Sequence, residues 1–266
     1  MSILRFSLAA VLALHVHSAD AHEFWIEPQD FQVESGGTLI ANLKNGQEFQ
    51  GSDLAYFSTS TTRFDVITNG RTTPVEGRMG DRPALSTQAT EDGLVVIVHE
   101  TTPSRLKYAT WEKFQKFVDH KDFKDIDARH AALGAPREGF RESYTRHTKA
   151  LIAVGDGAGA DAAFGLKTEF VARTNPYASD FDGKMSVALY LDGTPRADAQ
   201  VEVFDRDPDG AVTITLHRTN AQGVADIAVT KGHDYLFDAV HLQPYTGEKD
   251  AVWETLWAAL TFSVPQ

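Results

Sequence analysis

His22 is the residue with the most distinctive chemistry in this sequence, provided that residues 1–21 are removed. Those residues carry an early cation, Arg5, an apolar run from Leu8 to Leu14, and the tripeptide Ala19-Asp20-Ala21. This is the pattern of an export signal with a small-x-small cleavage site. Cleavage after Ala21 gives a mature chain that begins at His22. A terminal histidine offers an α-amine and an imidazole from one residue, a pair that can chelate copper, nickel, cobalt or zinc.

A second ligand must come from elsewhere in the chain. The other histidines beyond residue 21 are His99, His120, His130, His147, His217, His233 and His241. None belongs to a compact motif such as His-Glu-x-x-His, so a shared site has to be assembled by the fold. His120, Asp122 and His130 flank a charged turn, where ligands at helix ends can converge if the helix breaks over residues 121–127. The expected metal set is therefore His22, His120, Asp122 and His130. His99 shares a strand face with Val95 and Ile97, and His241 shares one with Phe237 and Ala239, which is the pattern of hydrogen-bonded core histidines. Asp205-x-Asp207-x-Asp209-Gly210 opens like a calcium loop, but its twelfth position is Leu216 and a hairpin turn accounts for it. Arg141, Glu142, Tyr144, Arg146 and Lys149 form a dense polar cluster around Phe140, which reads as an ion-pair network that locks the helical insert to the sheet, with anion binding as the alternative.

Composition narrows the chemistry further. The chain has no cysteine, so thiolate sites, Cys nucleophiles and disulfides are excluded. It has no Gly-x-Ser-x-Gly elbow, phosphate loop or dinucleotide fingerprint, and no catalytic residues are assigned. The net charge of −12 opposes binding to nucleic acid. No apolar run after residue 21 approaches the length of about 20 residues needed to span a bilayer. The expected address is periplasmic or secreted.

The elements that must position these residues are mainly strands. Short apolar runs with turn punctuation fill residues 23–107. Trp111, Phe114, Phe117 and Val118 then recur at helical spacing, a second helix is expected over 126–133, and a third over 138–145. Residues 155–159, Gly-Asp-Gly-Ala-Gly, read as the connection between domains. Evenly spaced strands follow to the end of the sequence. The expected fold is mainly β, with two sandwich-type domains. The first spans residues 22–155 and carries a helical insert at about 110–147, and the second spans 165–266 and is Ig-like or transthyretin-like.

Four segments together resemble a family of exported bacterial proteins catalogued as domain of unknown function 4198 and labelled NikM-like. They are Ala21-His22-Glu23-Phe24-Trp25-Ile26-Glu27-Pro28, Phe117-Val118-Asp119-His120-Lys121-Asp122-Phe123, Tyr144-Thr145-Arg146-His147-Thr148-Lys149-Ala150-Leu151, and Trp253-Glu254-Thr255-Leu256-Trp257-Ala258-Ala259-Leu260-Thr261-Phe262. The resemblance implies an exported two-part protein with an Ig-like end, associated with nickel or cobalt uptake. It carries over His22 and the His120 region only as positions in matching motifs. The label belongs to a transmembrane subunit, from which this sequence departs. The expected function is a periplasmic binding protein for a divalent transition metal, working with a membrane transporter or an outer-membrane receptor. The alternatives are a metal-free sandwich module that binds a protein or glycan, and a copper mono-oxygenase.

Overall fold

The computed structural model describes residues 22–247 and 251–266. The leader expected over residues 1–21 lies outside the described residues.

The first part of the chain forms β1 (Glu23–Pro28), β2 (Gln32–Val33), β3 (Thr38–Gln47), β4 (Gln50–Leu54), β5 (Thr61–Thr68), β6 (Arg71–Pro74), β7 (Leu85–Gln88), β8 (Gly93–Thr101) and β9 (Ser104–Tyr108). Two helices follow, α1 (Trp111–His120) and α2 (Ile126–Ala132), and then the long β10 (Phe140–Val154). The remainder supplies β11 (Thr168–Ala172), β12 (Lys184–Leu191), β13 (Thr194–Pro195), β14 (Gln200–Arg206), β15 (Val212–Arg218), β16 (Val224–Ala228), β17 (Asp234–Pro244) and β18 (Trp253–Ser263).

The fold is mainly β and sandwich-like, with three layers. The middle layer is a ten-stranded sheet ordered β15-β14-β17-β18-β10-β8-β5-β6, with β2 and β9 also paired to β10. A small sheet of β1, β3, β4 and β7 covers part of one face, and a sheet of β11, β12, β13 and β16 covers the other. Alternation along the strands divides the residues between these layers. On β18, Ala258, Leu260 and Phe262 pack with Phe170, Val187 and Leu189 of the second small sheet. On β1 and β3, Phe24, Ile26, Leu39 and Leu43 meet Val95, Ile97 and Ile152 of the opposite face. Each such large side chain contributes about 1.5–3 kcal/mol when it is fully buried.

The helices lie beside the first small sheet, against the same face. Phe114, Phe117 and Val118 form one apolar stripe of α1, and they pack with Trp253 and Trp257 of β18. The apolar spacing predicted this stripe. The third helix does not form: residues 140–154 are strand β10, paired in parallel with β18 from Glu142↔Trp253 to Ala150↔Thr261.

The middle sheet also crosses the expected domain boundary, since β10 and β8 come from one side of it and β18, β17 and β14 from the other. The middle sheet therefore runs continuously through both expected domains. The Gly-rich connection is itself fastened. Leu94 N donates to Ala158 O at 2.7 Å, and Asn175 Nδ2 donates to Gly157 O at 2.8 Å. Gly157 has φ +61, and a Cβ there would lie 2.7 Å from the Ala153 Cβ, so the position needs glycine. Just beyond it, buried Lys149 Nζ holds Asp161 Oδ1 at 2.7 Å and Glu169 Oε1 at 3.3 Å. The same ammonium donates to the carbonyls of Ala162 and Phe170, each at 2.9 Å. These bonds fasten residues 161–170 to the middle sheet.

Candidate functional site

An irregularity in the middle sheet creates the most distinctive site. β10 pairs with β9 from Phe140↔Tyr108 to Tyr144↔Ser104, and with β8 from Leu151↔Val96 to Val154↔Gly93. Residues 145–150 lie between these two ladders. Side chains bridge the interval: Arg146 N donates to Thr101 Oγ1 at 3.0 Å, and Thr148 Oγ1 donates to His99 O at 3.4 Å. The β5–β8 register also shifts between Thr61 and Arg63. Such bulges re-aim the side chains beside them.

A cavity of about 310 Å³ opens here, between the middle sheet and the first small sheet. Its lining includes His22, Phe24, Leu43, Asn45, Leu54, Ser60, Thr61, His99, Thr101, Ser104, Leu106, Glu142, Tyr144, Arg146 and Trp257. His22 is half-buried and is the first described residue. Arg146 Nη1 donates a hydrogen bond to its carbonyl oxygen. The next residue, Glu23, is 3.6 Å from Lys121 Nζ. The beginning of the described chain is thus held on both sides of the cavity wall.

His99 is buried, with the Phe24 and Phe64 rings centred 5.4 Å and 5.1 Å away. Burial pushes its pKa down to about 3, so the ring is neutral near pH 7. Nε2 lies 3.2 Å from Thr61 Oγ1, while Nδ1 has no hydrogen-bond partner among the described residues. A buried polar atom of this kind calls for an explanation.

Glu142 accepts hydrogen bonds from the Tyr108 hydroxyl at 2.8 Å and from Thr255 Oγ1. Burial raises its pKa to about 7. Arg146 lies between aromatic rings, 4.8 Å from the Trp257 centroid and 5.2 Å from that of Tyr144. Burial lowers its pKa.

Behind Trp257 is a buried charge cluster. Lys121 Nζ is 2.5 Å from Glu202 Oε2, 3.1 Å from Asp238 Oδ2 and 5.1 Å from the Trp257 ring centroid. Burial opposes the Lys121 charge, but Asp238, Glu202 and Glu23 together hold its pKa above the usual value. Burial raises Glu23 to about 7. Burial also works against ionised Glu202, but the His120 hydrogen bond and Lys121 bring that carboxyl down to about 2.

The expected ligand set does not come together. The helix does break after His120, with Asp122 and Asp125 at φ +56 and +57, but the break sends the two histidines to different partners. His120 Nε2 lies 2.9 Å from Glu202 Oε1. Asp122 is paired with Lys124 and Arg218. His130 Nδ1 accepts from Trp253 Nε1 at 3.0 Å, and its Nε2 donates to Pro136 O at 3.1 Å. Both His130 nitrogens are therefore occupied by structural bonds, and the ring has no lone pair free for a metal. Among the described residues, no group of three or more His, Asp or Glu side chains is arranged to hold a metal ion.

The structure instead brings His22 to the cavity that His99 lines. In the sequence, the alternation of Val95, Ile97 and His99 gave the correct face, and that face read simply as core. Arg146 and Lys149, expected in one ion-pair network, sit on opposite faces of β10 with separate partners. The calcium-like segment is a turn: Asp207 Oδ1 accepts from Asp209 N and Ala211 N, each at 2.9 Å, while Asp205 is held by His233 and Tyr235. No described helix is long and apolar enough to cross a membrane.

No curated protein matches the chain. A solved tetra-tandem repeat from the extending region of a large adhesion protein is similar at 10% identity and a TM-score of 0.20, covering 92% of this chain and 50% of that one. The chain thus spans half the length of that structure. A DUF3823 family protein from Bacteroides uniformis is similar at 8% identity and a TM-score of 0.20, covering 92% of this chain and 100% of that one. The family described as Domain of unknown function (DUF4198) matches residues 19–243. That match takes in the His22 segment, both helices and all of β10, and the chain belongs to this family.

Proposed function

We propose that the mature chain is a periplasmic protein that captures a divalent transition metal with His22 and His99, as an accessory to metal uptake or homeostasis. The observation that carries this reading is the placement of both residues on one cavity, with His99 Nδ1 unpartnered. After cleavage following Ala21, His22 contributes an amine as well as an imidazole. Two residues then supply three nitrogen donors, and a terminal amine adds a ligand without adding a side chain. Nitrogen donors of this type suit Cu(II), Ni(II) and Zn(II). In the uncleaved chain the His22 nitrogen is an amide, so the site matures with export.

The nickel or cobalt association that accompanies the family resemblance fits the same cargo. Under this reading the partner is a membrane transporter or an outer-membrane receptor that takes up the captured metal.

The test is calorimetric titration of Cu(II) and Ni(II) into protein that starts at His22, and into protein carrying one additional alanine before His22. Loss of the terminal amine is expected to weaken binding about tenfold or more, equivalent to about 1.4 kcal/mol. Equal affinities would overturn the proposal.

A further inference from the structure

We infer that this cavity takes its metal as a complex with a small organic molecule bearing one carboxylate, and that Arg146 receives that carboxylate. The inference rests on the metal-capture reading of the same cavity.

Arg146 is only 8% exposed, yet it forms no ion pair with any described residue. The neighbouring acids are committed elsewhere. Glu142 accepts from Tyr108 and Thr255, while Glu23, Glu202 and Asp238 surround Lys121. The guanidinium has five N–H donors in a planar fork, and its side-chain hydrogen bond is the one from Nη1 to the His22 carbonyl. Asp238, Glu23 and Glu142 favour the Arg146 charge only from beyond ion-pair distance, and an anionic ligand in direct contact offsets the cost of burying it. The fork matches a carboxylate in bidentate geometry. Tyr144 and Trp257 flank the guanidinium and limit its approach directions.

Cavity size points to the same class of ligand. About 310 Å³ corresponds to roughly ten water volumes of about 30 Å³ each, far more than a bare ion fills. The walls combine Phe24, Leu43, Leu54 and Leu106 with the polar groups of Asn45 and Ser104. Apolar walls with a few placed polar groups suit a small organic ligand. One guanidinium matches one carboxylate, and the Glu142 carboxyl in the same lining disfavours a polyanion. An α-amino acid meets these demands, because its amine and carboxylate also chelate the metal.

The experiment uses copper-loaded protein that starts at His22. L-Alanine and L-alaninamide are titrated separately into wild type and into Arg146→Gln, with the fold checked by near-ultraviolet circular dichroism. The acid is expected to bind wild type more tightly than the amide, and this preference is expected to fall about tenfold in Arg146→Gln. Because the carboxylate also binds copper, the drop between the two proteins, and not the preference in wild type alone, reports on Arg146. If Arg146→Gln fails to fold, Arg146→Lys, which keeps the charge and loses the bidentate fork, supplies the same comparison with a smaller drop. Copper binding with equal affinity for acid and amide would overturn the inference and leave metal capture standing. An undiminished preference in the folded variant would remove Arg146 from its role. Failure of wild type to bind copper would overturn metal capture, and this inference with it.

Discussion

Arg146 donates a hydrogen bond to the carbonyl oxygen of His22, tying the first described residue to the middle of the longest strand of the central sheet. Termini are ordinarily mobile unless they are tied down. Here the bond to Arg146, the ion pair of Glu23 with Lys121 and the packing of Phe24 and Ile26 fix the start of β1. A donor held in place before its ligand arrives loses less entropy on binding. This is the physical basis for treating His22 as part of a site.

His130 provides a check on which histidines matter. Its ring accepts from Trp253 and donates to Pro136, so its role is structural. Replacing it with phenylalanine keeps a ring but leaves the buried Trp253 Nε1–H without its acceptor. His130→Phe is expected to lower stability by about 1–3 kcal/mol in urea unfolding, with unchanged affinity for Cu(II). A loss of copper affinity in folded protein would return His130 to the ligand set.

Lys121 Nζ lies within 3.6 Å of three buried carboxyl groups, contributed by β1, β14 and β17. Lys121→Met retains most of the side-chain volume and removes the charge. The remaining acids would be left uncompensated, and a loss of about 3–5 kcal/mol is expected from the urea midpoint. A change under 1 kcal/mol would show that those acids take up protons or water at little cost.

Glu142 sets a pH dependence with a definite sign. Its carboxyl rises from 4.5 to about 7 on folding because of burial. A group whose pKa rises on folding contributes its full stability below the unfolded value, and that contribution is lost as pH rises through the folded value. The Glu142 contribution is therefore expected to decline between about pH 4.5 and pH 7, by on the order of 3 kcal/mol. Stability profiles of wild type and Glu142→Gln, measured by urea unfolding from pH 5 to 8, should converge on that basis: the variant's decline is the shallower one. Parallel profiles would show that Glu142 titrates alike in both states.

The local elements were largely legible in the sequence, and the long-range pairing was not. The Trp111, Phe114, Phe117 and Val118 spacing located α1, and the apolar run from Leu94 located β8. Residues 138–145 misled because their polarity resembles a solvated helix. In the structure, Glu142 and Arg146 face one side of β10 while His147 and Lys149 face the other, and the sheets and helices on each side bury them. Those partners come from distant segments, so the buried charges of β10 carried no local sign of burial. The same non-local pairing, β10 beside β18, joins the two expected domains into one sheet. The site was half legible. The leader pattern singled out His22, but only the fold could bring it to the cavity lined by His99, and only the fold shows that His120, Asp122 and His130 point to separate partners.

The most direct test of the central claim is electron paramagnetic resonance of the mature protein loaded with one equivalent of isotopically pure Cu(II). It should be compared with His99→Phe, which keeps a ring against Phe24 and Phe64 but offers no donor. Wild type is expected to show superhyperfine coupling from the His22 amine and two imidazoles, and folded His99→Phe is expected to lose one of those nitrogens together with about tenfold or more in affinity. Identical spectra and affinities for the two proteins would contradict the account.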